Sequence, residues 1–222
     1  MLNKTQLKTM LTLQDKMNKA VDKNWIELGR AWLRAAMVEG CEAVEHWGFK
    51  WWKAQNKNLE QLQMELVDIW HFALSDIIVK FGGDIDKSAQ NVAELIAENV
   101  DVVTFDGKDY ELSSLELLEK LDLMIGLAAA KRFSVPLFLT ILTDCEMTSD
   151  ELYRQYVGKN VLNIFRANNG YKSGTYVKIW DGQEDNEHLV KILNTLDTND
   201  ASFSDKLYQA LENRYKPLTN HA

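Results

Sequence analysis

Two stretches decide the fold: Ala35-Ala-Met-Val-Glu39-Gly-Cys-Glu42-Ala-Val-Glu45-His46 and Leu62-Gln-Met-Glu65-Leu-Val-Asp68-Ile-Trp70-His71-Phe72. In each, a pair of acids stands three positions apart, Glu39 with Glu42 and Glu65 with Asp68, a spacing that puts both side chains on one face of a helix. Such a pair alone means little, because solvated helix faces carry many. The surroundings give it weight. Runs that are apolar on nearly every side belong in a core, and a buried acid needs a partner. An antiparallel helix pair joined by the segment from Gly48 to Asn58 brings the two faces together as a four-carboxylate cup. Four anions so placed repel one another unless a cation sits among them. Oxygen-only donors favour magnesium, which keeps positions for water and substrate phosphates.

Outward from this pair, apolar residues recur at three- and four-residue steps from Leu2 to Val21 and predict a first helix. A second is expected from Trp25 to about His46, stopped by Gly48, and a third from Leu59 to Phe81, stopped by Gly82-Gly83. Ser88 to Glu98 reads as a helix, and Val102 to Phe105 before Asp106-Gly107 as a short extended turn. A helix capped by Ser113 or Ser114 runs to about Arg132, with a shorter one before Asp144. Thr148 and Glu151 have capping-box spacing and launch a helix from Ser149 to Asn168. After Gly170 the glycines predict a loop or short β-like excursion, then helices near Asp185 to Leu196 and Ser204 to Tyr215. The expectation is all-α: one multi-helix catalytic domain over residues 1–222, with residues 84–145 as an inserted, mobile helical lobe.

Composition narrows the function. The chain has 222 residues, 46% of them apolar, enough for a sizeable core. A formal charge of −8 argues against binding nucleic-acid polymers, whose affinity comes from Lys and Arg, but not against a small phosphorylated ligand held through metal ions. Cys41 and Cys145 show no pairing or zinc pattern, as in a reducing compartment. No apolar run approaches the roughly 20 residues of a membrane span, and Met1 to Met17 lacks a signal-peptide core. These features predict a cytoplasmic, soluble protein with no membrane partner. A rival metal reading is a di-iron carboxylate bundle, since Asp68 and His71 have carboxylate–histidine spacing. It needs a second such pair. His46, beside Glu45 and four residues from Glu42, does not supply it.

The words around the acids add specificity. Gln14-Asp-Lys-Met-Asn18, Glu42-Ala-Val-Glu45-His46-Trp47-Gly48-Phe49-Lys50-Trp51-Trp52-Lys53 and Glu65-Leu-Val-Asp68-Ile-Trp70-His71-Phe72 stand in order with a late block. That block is Lys159-Asn160-Val-Leu162-Asn163, Arg166, Asn169-Gly170-Tyr171-Lys172, Gly174-Thr-Tyr176, Lys178, Trp180, Gly182, Asp185 and Asn186. Together they resemble the dimeric dUTPase family, within the all-α nucleotide pyrophosphohydrolase superfamily that includes MazG-like enzymes. The likeness covers about residues 11 to 190 and is weak from Asp84 to Cys145.

The resemblance implies a homodimeric, magnesium-dependent dUTP diphosphatase that also accepts dUDP, with two or more ions held by Glu39, Glu42, Glu65 and Asp68. It implies that Gln14, Asn18, Trp51, His71 and Phe72 shape the deoxyuridine pocket. Asn163, Arg166, Tyr171, Lys172, Lys178 and Asn186 would contact phosphates or their metals. An amide such as Asn18 can offer both donor and acceptor to a uracil edge, and Trp51 a flat wall. The tryptophans also suit core or dimer packing, and His71 a hydrogen-bonded core position. Where the family often has Asp, this chain has Glu45. Water would attack a phosphoanhydride in line, with Glu42 orienting or deprotonating it. Two alternatives stay open: a dCTP or broader nucleoside triphosphate pyrophosphohydrolase, and a non-catalytic helical interaction protein that binds a protein regulator.

Overall fold

The computed structural model of the chain describes residues 1–219, with side chains as far as Lys216. The described residues are overwhelmingly helical, and none of their helices is long and apolar enough to cross a membrane. The chain divides into two compact units, Met1–Leu152 and Tyr153–Ala222.

The first unit is built around helix α3, Leu59–Lys80. Leu62, Leu66, Ile69, Trp70, Ala73, Leu74 and Ile78 are fully buried and lie on more than one side of it, so α3 needs neighbours all round. They are α1 (Lys4–Val21), α2 (Trp32–Trp47) and α4 (Ile85–Glu98). Each fully buried Leu or Ile contributes roughly 1.5–3 kcal/mol. Asn3 opens α1 with a capping box to Gln6, and α1 turns Leu7, Met10, Leu11, Gln14 and Asn18 inward. Helix α5 (Leu117–Ala129) backs α2, and α6 (Val135–Asp144) packs on α4 and α5. Gly40 permits the α2–α5 approach: a Cβ there would fall 2.8 Å from Ile125 Cγ1. Gly40 lies between Glu39 and Glu42, so this close contact seats the acidic face.

Three sequence expectations change. Helix α5 is capped by Glu116, not by Ser113 or Ser114, which lie in a 3₁₀ turn ahead of it, and it ends at Ala129. Helix α2 begins at Trp32 rather than Trp25. Gly29 breaks the run at φ +58°, and Trp25 is drawn to α1, buried with its Nε1 donating to Asp15 Oδ1 at 3.1 Å. Residues 102–105 form more than a turn. They are strand β1 (Val102–Phe105) of an antiparallel hairpin with β2 (Lys108–Glu111), in register from Val102 opposite Glu111 to Phe105 opposite Lys108. Asp106 and Gly107 both take positive φ, as a type I′ turn demands.

The second unit contains most of α7 (Ser149–Asn168), the two-residue strands β3 (Ile179–Trp180) and β4 (Gln183–Glu184), α8 (Asp185–Leu193) and α9 (Phe203–Thr219). Its centre is aromatic. Phe165 meets Tyr176, Trp180, Tyr208 and Tyr215 largely edge to face at 5.3–6.3 Å. Trp180 is fully buried and satisfies its indole N–H on Val177 O at 2.8 Å.

Candidate functional site

Helices α2 and α3 run antiparallel, because their partners march in opposite directions: His46 meets Glu65, while Trp32 stacks on Phe72. Between these ends the predicted acids converge. Carboxylate oxygens of Glu39, Glu42 and Glu65 lie within 4.8 Å of one another. Burial, then the charges of Asp68, Glu42 and Glu65, push the Glu39 carboxyl up to about 7. Asp68 therefore acts on the same cluster, although its oxygens are not in the tightest group. Glu65 is buried, Glu39 half-buried and Glu42 exposed, so the cluster opens to solvent on one side. A set of hard oxygens whose burial, and then mutual repulsion, disfavours the charged form suits a small divalent cation.

A consequence can be measured. A raised carboxyl pKa means that the folded protein holds a proton the unfolded chain has released. Stability from Glu39 is therefore complete below pH 4.5 and is lost as pH rises through about 7. Discounted for partial solvent screening, the loss is on the order of 1–2 kcal/mol. Thermal unfolding in chelator is expected to show this decline between pH 5 and 8, with Glu39→Gln flattening it and added magnesium reversing it. A decline equally steep in the variant would assign it elsewhere.

Glu45 does not join the cluster. Its Oε1 accepts from Lys50 Nζ and from Gln55 Nε2, the latter at 3.2 Å, while Gln55 Oε1 accepts from Lys50 N at 2.7 Å. The acid that departs from the family pattern thus clasps the loop between α2 and α3. That loop presents Trp51 to solvent at 90% exposure, edge-on to Trp52 at 5.4 Å. Trp51 is not brought to the other predicted base contacts.

Those contacts form a chain of buried amides. Gln14 Nε2 donates to Asn18 Oδ1 at 3.2 Å, Asn18 Nδ2 to Ser75 Oγ at 3.0 Å, and Ser75 Oγ to His71 O at 2.9 Å. His71 Nδ1 meets Gln14 Oε1 at 2.8 Å, which assigns the ring proton to Nδ1. Each function of the Asn18 amide is used once here, leaving capacity for one more donated and one more accepted bond. Phe72 stacks on Trp32 with centroids 6.4 Å apart. Ser75 and Trp32 were not anticipated. The signal for Ser75 was a small polar residue four after His71 on a helix otherwise buried by apolar groups. A separate cleft of about 290 Å³ at the start of α2, lined by Arg30, Trp32, Arg34, Asp76 and Lys131 among others, shares none of the carboxylates.

In the second unit the late block organises around Asp185, which is fully buried. Arg166 Nε and Nη2 grip its two oxygens, each at 2.7 Å, and Tyr176 Oη donates at 2.8 Å. Burial raises the Asp185 carboxyl pKa, but the bonds from Arg166 and Tyr176 outweigh it and hold the group below the usual range. Asn163 Oδ1 accepts weakly from Arg166 Nη1 at 3.4 Å, the Arg166 guanidinium sits 5.9 Å from the Tyr171 ring, and Asn186 N donates to Asp185 at 2.9 Å. Four of the predicted phosphate residues, Asn163, Arg166, Tyr171 and Asn186, are thus brought together, with Arg166 already paired. Lys178 pairs with Glu184 at 3.0 Å, and Lys172 stands exposed on the turn after Gly170.

A family model described as dUTPase matches residues 6–171, taking in the carboxylates and the amide chain and ending before Lys172, Lys178 and Asn186. No curated protein matches the chain.

Proposed function

Because the chain belongs to the dUTPase family, we propose that it hydrolyses dUTP to dUMP and pyrophosphate at the α2–α3 carboxylate cluster, with dUDP as a second substrate. The observation that carries this reading is the convergence of Glu39, Glu42 and Glu65 beside Asp68. Those four acids would hold two or more magnesium ions. Bound there, magnesium supplies charge neutralisation for the polyphosphate and lowers the pKa of water.

The rest falls to the chain's own residues. Glu42, the exposed member of the cluster, orients the attacking water and takes its proton as the new P–O bond forms and the bridging P–O bond breaks. Glu39, Glu65 and Asp68 fix the charge around it. Asn18, held by Gln14 and Ser75, offers its remaining donor and acceptor to the uracil edge, and Phe72 gives the base an apolar wall. Asn163, Arg166, Tyr171, Lys172, Lys178 and Asn186 serve the phosphate tail. Exposed Phe49, Trp51 and Trp52 support a homodimer, and the free thiols of Cys41 and Cys145 support a cytoplasmic setting.

Purified protein is expected to release pyrophosphate from dUTP only with magnesium. It should discriminate strongly against dTTP, which carries an added methyl, and against dCTP, which inverts the donor pattern at the base edge. Comparable turnover of dCTP would transfer the reading to a broader pyrophosphohydrolase. No turnover of any nucleotide would leave a helical interaction protein.

A further inference from the structure

We infer that His46 is a positioning residue for Glu65, an outer partner that aims this carboxylate at the metal without binding the metal itself. The inference rests on the carboxylate cluster being a metal centre. His46 Nε2 lies 3.3 Å from Glu65 Oε1. It stands outside the tightest group, in which carboxylate oxygens of Glu39, Glu42 and Glu65 lie within 4.8 Å of one another. Glu65 thus has the His46 imidazole as a close neighbour from α2 as well as the Glu39 and Glu42 carboxylates.

The imidazole is well placed to hold a direction. It stands in the last turn of α2, where the helix favours a donor or a cation. Its own carbonyl accepts Asn58 N at 2.9 Å, and Asn58 is the residue whose side chain caps α3 through Gln61 N. The next residue, Trp47, is covered by the Lys57 ammonium at 3.7 Å from the ring centroid. Both ends of the α2–α3 connection are therefore pinned at His46, and the ring reaches across to α3. Counting along one helix finds no metal role for this histidine, because its contact is between helices. Outer partners of this kind typically alter metal affinity 10–100-fold when removed.

Manganese binding to the full chain, followed by calorimetry and by loss of the free-ion paramagnetic signal, tests the assignment. His46→Ala is expected to weaken binding about tenfold. His46→Gln, which keeps an N–H donor at similar reach, should recover most of that loss. Glu65→Gln is the control: if it binds manganese as the parent does, the metal-centre reading fails. If Glu65→Gln weakens binding and His46→Ala does not, the role of His46 is overturned. A His46→Gln variant as weak as His46→Ala would equally overturn it, since a shared donor then explains nothing.

Discussion

Glu42→Gln is expected to lower kcat for dUTP by about a thousandfold while the protein stays folded, in line with the 10²–10⁴ that a positioned base contributes. The substitution preserves shape and the ability to accept a hydrogen bond, but the amide can no longer take a proton from water. Because Glu42 is the solvent-exposed member of the cluster, its replacement leaves the buried packing of α2 against α3 intact. Metal affinity will also fall, so the comparison belongs at saturating magnesium, where a loss confined to kcat separates proton transfer from binding. Near-normal turnover there would remove Glu42 from the chemistry.

The second large effect concerns stability. Asp185→Ala should cost about 3–5 kcal/mol, because it strands the Arg166 guanidinium in a mostly buried position with the weak Asn163 contact and the distant Tyr171 ring, and takes the acceptor from Tyr176. Replacing Arg166 by Met in the same variant should recover part of the loss, since an apolar pair of similar volume avoids the unpaired charge. Denaturant unfolding of the full chain measures both. The pH sign is opposite to that of Glu39: a depressed carboxyl pKa contributes stability at neutral pH that disappears as acid titrates the group below its normal value. A cost under 1 kcal/mol would show the Arg166–Asp185 fork to be incidental.

That fork illustrates where sequence reading stops. Arg166 and Asp185 are 19 residues apart, and a cation in a glycine-punctuated block reads naturally as a phosphate contact. Only the folded chain shows that the same cation also grips a fully buried acid, whatever else it contacts. Glu45 is similar. It sits three residues after Glu42, the same helical step that unites the paired acids, yet Lys50 and Gln55 draw it into the loop clasp. Sequence periodicity starts α2 too early because Trp25 and Leu28 continue the apolar period, whereas the folded chain turns at Gly29 and Trp25 bonds to Asp15 on α1.

The primary structure was sufficient for whatever depends on neighbours within a turn or two: the helical class, the facing of Glu39 with Glu42 and of Glu65 with Asp68, the stop at Gly48, and the burial of α3. Periodicity and side-chain volume act locally, so they can be read without coordinates. Tertiary structure alone decided which carboxylates come within 4.8 Å, that His46 reaches Glu65, and that Ser75 locks Asn18. Each is a contact across helices, set by how α1 and α2 pack on α3, where an ångström of displacement makes or breaks a hydrogen bond and no residue spacing along the chain records it.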